Sequence, residues 1–313
     1  MFAFLSTLRA VTAILLVSTV AFAAPNFARR SNTSYSAIIA FGDSFTDNGS
    51  GAWAVSNHTW PANPNYFNGR FSNGPVWIEY VAGNLSVPLV DFAVGGATSS
   101  NKLVQGYTGP NSTIPVPSVD EQVAVFLQPG SVPANVSLAA PLFVLMGGAN
   151  DPLFNPNVTA NQSFRALIAS TARLAAVHPS AHVLFLTYPD LARIPADFYI
   201  ASTATKDALH TFSTDLAALF RDAVSQQAAG LAGAVTFVDV MPLFAEWEYY
   251  GAPQAFGFAP LGAYGSCLTG AYGETSEVTL CADAERAVFW DEYHPTTHAH
   301  SWIANLVLAE LGH

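Results

Sequence analysis

Five short apolar, β-branched runs, each closed by a Gly-, Asp- or Pro-containing turn, constrain this chain more than any other feature. They are Ser36–Phe41, Val87–Phe92, Leu142–Met146, His182–Leu186 and Val235–Val238. Runs of this length without polar alternation read as strands buried on both faces. The segments between the later runs have helical spacing instead. Phe164, Leu167, Ile168, Thr171, Leu174 and Ala175 share one face, as do Leu209, Phe212, Leu216, Leu219, Phe220 and Ala223, with Pro179 and Gly230 as the expected stops. Ala299, Ile303, Leu306, Val307 and Leu311 predict a final amphipathic helix packed on the sheet. Strand and helix in alternation predict an α/β fold with a parallel sheet covered on both sides. No internal repeat or Pro-, Gly- and Ser-rich linker divides the chain. Two irregular stretches, Asn48–Pro75 and Met241–Trp290, are dense in aromatics, Gly and Pro. Insertions of that length are usually functional, although any single aromatic reads first as part of its loop's own small core.

The 313 residues are 51% hydrophobic and 11% charged, enough apolar content for a sizeable core. Eleven Lys and Arg against 22 Asp and Glu give a formal charge of −11, which repels phosphate backbones and anionic lipid surfaces. Nucleic-acid binding is excluded on that ground. Nucleotide hydrolysis is excluded because Lys102 and Lys206, the lysines of the chain, lie in no GxxxxGK[ST] run.

Arg9, the apolar run Val11–Val20 and then Ala21-Phe22-Ala23 have the order of a secretory signal. The expectation is a signal peptide over 1–23, cleaved after Ala23, and a single secreted catalytic domain over 24–313. The apolar run is short of the roughly 20 residues of a bilayer span, so no stable membrane anchor is expected. N-x-[ST] sequons at Asn32, Asn57, Asn84, Asn111, Asn135, Asn157 and Asn161 are glycosylation candidates and suggest a eukaryotic secretory route. Asn48 also begins a sequon but lies beside the candidate site. Cys267 and Cys281 form an even pair in an exported chain, so a disulfide is favoured, and no further cysteine completes a tetrahedral metal set.

In an open parallel sheet, ligands gather beyond the carboxyl ends of the strands. After the first run stands Gly42-Asp43-Ser44-Phe45-Thr46-Asp47; after the second, Gly95-Gly96-Ala97-Thr98; after the third, Gly147-Gly148-Ala149-Asn150-Asp151. Near the C-terminus stands Asp291-Glu292-Tyr293-His294. Taken singly, each has a bland explanation: Ser44 and Asp47 as caps, Gly95-Gly96 as a tight turn, Asn150 as a left-handed residue, Asp291 as a loop acid. Together they supply a nucleophile, a base with its orienter, and donors for an oxyanion.

These four blocks, in this order, resemble the SGNH or GDSL hydrolases, secreted esterases and lipases. The resemblance runs from about Ala37 to the last helix, and departs in the Ala149 between Gly148 and Asn150. It implies a flavodoxin-like three-layer α/β/α sandwich with a five-stranded parallel sheet in the order 2-1-3-4-5. No G-x-S-x-G nucleophile elbow is present, which disfavours the α/β-hydrolase version of the chemistry. Gly69-Arg70-Phe71-Ser72-Asn73-Gly74-Pro75-Val76-Trp77 and the Cys267–Cys281 loop look most like the secreted fungal carbohydrate acetylesterases, carbohydrate esterase family 16-like.

The resemblance implies Ser44 as nucleophile, His294 as base and Asp291 as its orienter, with Glu292 second choice for the last role. The backbone amides of Ser44 and Gly96 and the side-chain amide of Asn150 would form the oxyanion hole. Gly96 is preferred over Gly95 because it stands two residues before Thr98. No cofactor or metal is implied; His298 and His300, which with His294 form an H-x3-H-x-H cluster, read as surface or capping residues. The expected activity is hydrolysis of small acyl esters, acetyl above all, on carbohydrates such as hemicellulose oligosaccharides. The alternatives are a GDSL lipase or general carboxylesterase acting on longer acyl chains, and an inactive carbohydrate-binding protein on the same scaffold.

Overall fold

The computed structural model describes residues 34–62, 64–226 and 233–313. The expected signal segment, the sequon at Asn32 and Gly230 lie outside the described residues. Five parallel strands form the central sheet: β1 (Ala37–Gly42), β2 (Leu89–Asp91), β3 (Pro141–Met146), β4 (His182–Leu186) and β5 (Ala234–Val238), in the order β2-β1-β3-β4-β5. The register sets Ile38 beside Leu89 and Leu142, Val144 beside Leu184, and Leu184 beside Thr236. This is the expected sandwich and strand order. β1, β3 and β4 are buried along their whole length, as continuous apolar runs demand. β2 differs: its three residues are only half buried because it is an edge strand.

Helices α1 (Trp77–Leu85) and α5 (Thr297–Leu311) pack on each other, with α5 against β5. Helices α2 (Val119–Phe126), α3 (Ala160–Val177) and α4 (Thr203–Ser225) form a second contiguous group, α2 reaching β1 and α4 reaching β5. Local chemistry sets their ends. Thr159 and Gln162 make a capping box on α3, Ser202 caps α4 and Thr296 caps α5, whose far end stops at Gly312 in the left-handed region. Helix α4 ends at Ser225 with Gln226 as its cap.

The two irregular stretches are stapled down. Arg70 of the first makes a two-pronged ion pair with Glu79 of α1, and Glu79 also accepts from the Val76 amide. The second contains a two-stranded ribbon, Leu268–Thr269 with Thr279–Leu280, bridged by the Cys267–Cys281 disulfide. Among the described residues no helix is long and apolar enough to cross a membrane. Six sequon asparagines, Asn57, Asn84, Asn111, Asn135, Asn157 and Asn161, are exposed, whereas Asn48 is half buried with its side-chain carbonyl accepting from Ser50.

Candidate active site

The carboxyl end of β1 is braced before the functional residues begin. The buried side chain of Gln122 on α2 accepts from the Gly42 amide at 2.9 Å and donates to the Gly42 carbonyl at 2.8 Å, imitating a strand neighbour. The chain then turns, with the Asp43 carbonyl accepting from the Thr46 and Asp47 amides and the Asp43 carboxyl accepting from the Phe45 amide. Ser44 sits at the head of this turn, 8% exposed.

His294, 250 positions later, places Nε2 2.8 Å from the Ser44 Oγ. Its Nδ1 is 2.8 Å from both carboxylate oxygens of Asp291. A carboxylate can only accept, so Nδ1 carries the proton and Nε2 is free to accept from the Ser44 hydroxyl. Asp291 is completely buried, and it also accepts from the amides of Tyr293 and His294 and from the Tyr66 hydroxyl at 2.7 Å. Glu292 does not take the orienting role: its carbonyl accepts from the Ala196 amide, and no hydrogen bond links its side chain to His294. Phe71 closes over the imidazole, with ring centroids 4.8 Å apart.

The two glycines of the second block are used differently. The Gly95 amide donates to Asp47 at 2.9 Å, and a Cβ there would meet the Phe71 ring at 2.1 Å. Gly96 has φ +90°, and a Cβ would stand 2.0 Å from the Tyr107 carbonyl oxygen, so only glycine fits. The Gly96 and Ser44 amides donate to no acceptor among the described residues, and both residues line the pocket at Ser44. Asn150 lines the same pocket; its side-chain amide donates to the Ala97 carbonyl at 2.9 Å and lies 3.4 Å from Asp43 Oδ2. That pocket has a volume of about 390 Å³. Its walls are mostly apolar, with Trp60 and Phe71 from the first insertion facing Tyr272 from the disulfide-bridged ribbon, and Tyr107, Leu153, Phe154 and Ile194 beyond. Trp60 and Tyr272 meet edge-on at 5.2 Å.

Three features escape a reading of the sequence. Asp47, readable only as a cap, accepts from four backbone amides, Gly49, Gly51, Ala52 and Gly95, and so welds the first insertion to the glycine turn. Its spacing from Gly49 and Gly51 is the one local signal for this. Tyr66 has no local signal, since its partner Asp291 is 225 positions away. His300 corrects the expectation of a surface or capping histidine: it is fully buried behind Phe45, neither ring nitrogen has a partner among the described residues, and burial pushes its imidazole down to about 3, so it stays neutral. His298 is half buried, its Nδ1 donating to the Glu285 carbonyl. No group of three His, Cys, Asp or Glu converges on a metal position among the described residues.

Buried carboxyls surround the nucleophile. Asp43 accepts from the Tyr188 hydroxyl at 2.6 Å, yet burial pushes its carboxyl up to about 7. Burial also raises Asp47, Asp91 and Asp151. A carboxyl that binds its proton more tightly when folded stabilises the protein fully below its unfolded pKa near 4. That contribution is lost as the pH rises through the folded value, about 4 kcal/mol for Asp43. The melting temperature is therefore expected to fall between pH 5 and 8, and Asp43→Asn, which cannot ionise, should flatten the fall. Asp197 and Glu292, raised by burial to about 6 and about 7, act with the same sign and leave a residual slope. Identical slopes in thermal melts of the two proteins would refute the Asp43 contribution.

The family model of GDSL-like lipases and acylhydrolases matches residues 38–307, from the first strand to the last helix. The chain belongs to this family. It is 32% identical over 288 residues to a thermolabile hemolysin of Vibrio parahaemolyticus, a match covering 87% of this chain and 62% of the hemolysin. It is 25% identical over 318 residues to a phosphatidylcholine-sterol acyltransferase of Aeromonas hydrophila, covering 87% and 88% of the two chains. Among solved structures, a carbohydrate acetylesterase from Sinorhizobium meliloti matches with a TM-score of 0.46 and 15% identity, covering 87% of this chain and 98% of that one.

Proposed function

We propose that this GDSL-like hydrolase is a secreted serine esterase that removes small acyl groups, acetyl foremost, from carbohydrate. The observation that carries the reaction type is the unbroken hydrogen-bonded line from Ser44 through His294 to Asp291. Ser44 Oγ attacks the ester carbonyl as its proton passes to His294 Nε2, and Asp291 holds the imidazole in the tautomer that can take it. Negative charge then develops on the former carbonyl oxygen. The Ser44 and Gly96 amides, with no competing acceptor, and the Asn150 side-chain amide are the donors for it. The imidazolium returns its proton to the leaving sugar hydroxyl, leaving an acyl-Ser44. Water, activated by the same histidine, hydrolyses that ester and restores the serine.

The aromatic walls support the choice of alcohol. Tyr107 and Tyr272, each partly exposed where they line the pocket, offer ring surface that suits a pyranose, and the nearly buried Trp60 and Phe71 back this wall. A lipase reading is favoured by the same apolar walls and by similarity to the phosphatidylcholine-sterol acyltransferase. Acetyl and decanoyl esters of p-nitrophenol separate the two, and acetate release from acetylated xylo-oligosaccharides tests the alcohol. Faster decanoyl turnover, or no acetate from the oligosaccharides, would defeat the acetylesterase reading. Asn150→Ala should lower kcat by about 10²–10³ with KM nearly constant, the effect of losing one oxyanion donor; the amide, which donates to the Ala97 carbonyl at 2.9 Å with no oxyanion present, turns one N–H toward the developing charge. Unchanged kcat in steady-state assays would remove Asn150 from the oxyanion hole.

A further inference from the structure

We propose that the protein holds a second carbohydrate site, a tyrosine-lined cleft outside the catalytic pocket that binds a neutral polysaccharide chain. The proposal rests on the carbohydrate reading given above and extends it from the scissile ester to the polymer. The cleft, about 630 Å³ and open to solvent, is walled by Phe198, Tyr199, Tyr249, Tyr250, Leu261 and Tyr264. Tyr250 is 94% exposed, Tyr199 70% and Leu261 65%. Single exposed aromatics are ordinary, but a contiguous group of them marks a surface that something covers.

Tyr199 and Tyr264 are held before any ligand arrives. The Tyr199 hydroxyl donates to the Tyr264 carbonyl at 2.9 Å, and the Tyr249 amide donates to the Tyr264 hydroxyl at 3.1 Å. Phe198 stands edge-on to Tyr199 at 5.0 Å and packs on Tyr264 at 5.2 Å. Fixed in this way, Tyr199 and Tyr264 lose little rotamer freedom on binding, which is the condition under which weak stacking contacts with sugar rings accumulate into affinity.

Charge narrows the occupant. The guanidinium at the cleft, Arg193, is committed to an ion pair with Glu248, and the chain as a whole carries −11. Anionic membranes and acidic polymers gain nothing here, whereas an uncharged polyol does. Position supplies the link to catalysis. Ile194 lines the catalytic pocket and Tyr199 lines the cleft, five residues further on, a span of at most roughly 18 Å. The segment between them is anchored beside the catalytic loop by the Ala196 amide donating to the Glu292 carbonyl at 3.0 Å. The two sites are therefore near enough for one polymer chain to reach both.

The test is native electrophoresis through gels containing neutral xylan or glucomannan, comparing the Ser44→Ala protein with and without Tyr199→Ala/Tyr250→Ala, alongside kinetics of the double variant with Ser44 intact. The expected result is retardation that the tyrosine substitutions abolish. Hydrolysis of p-nitrophenyl acetate should be unchanged by them, and the half-saturating concentration of acetylated polymer raised. Absence of retardation, or equal retardation with and without the tyrosines, overturns the proposal. So does sedimentation showing a dimer that only the substitutions dissociate, or loss of binding to phosphatidylcholine vesicles in place of polysaccharide. If retardation depends on the tyrosines while acetylated xylo-oligosaccharides release no acetate, the cleft stands and the catalytic substrate reading falls.

Discussion

Ser44→Ala is expected to lower kcat for p-nitrophenyl acetate on the order of 10⁶-fold, to the residual rate that the oxyanion donors and binding sustain alone. The size follows from the loss of the hydroxyl proposed to form the acyl-enzyme. Asp43, one residue before Ser44, is engaged by Tyr188 and by the Phe45 amide and does not stand in for it. The substitution removes one oxygen from an 8% exposed side chain whose hydroxyl meets His294 at the pocket, so no large cavity opens in the core. The melting temperature should move little. A serine-directed phosphonate that labels the wild type at Ser44 and leaves the variant unlabelled checks the assignment independently of turnover. A variant retaining activity within tenfold would mean that the nucleophile lies elsewhere.

Asp291→Asn is expected to cost about 10⁴-fold in kcat. The carboxylate accepts from the ring Nδ1, from two backbone amides and from Tyr66. An asparagine can satisfy the two backbone amides with its carbonyl, but its NH₂ then faces the imidazole. With an NH₂ in place of one of the two oxygens that face Nδ1, the tautomer with Nδ1 accepting and Nε2 protonated is favoured, and in it the ring cannot take the proton of Ser44. Tyr66→Phe removes one hydrogen bond to the same carboxylate and leaves the tautomer intact, so a loss of about tenfold or less is expected. Glu292→Gln is the control and should leave kcat near wild type, because no hydrogen bond ties its side chain to His294. If Asp291→Asn retained most of its activity while Glu292→Gln lost it, the orienting role would pass to Glu292.

How much of this was legible follows from the range of the interactions. The five strands were readable because continuous apolar runs have one stable home in a sheet covered on both faces, and four of them lie within a residue of the expected bounds. The fifth, near Leu89, is shorter and less buried, since edge position is a property of strand order and not of a strand's own residues. His300 was misplaced for a related reason. A histidine at the start of a helix has no local mark telling burial from exposure, and here Phe45, from the nucleophile turn, covers it.

The amino-acid sequence by itself determined the α/β class, the acid excess, and the residue types able to do acyl chemistry, because periodicity, charge and functional groups are properties of neighbours along the chain. Only the tertiary structure decided that Gly95 spends its amide on Asp47 while Gly96 keeps its own, that Tyr66 reaches across 225 positions to Asp291, and that a set of tyrosines shares a cleft. Those outcomes depend on distances between segments remote in the chain, and such distances are set by how the whole core packs.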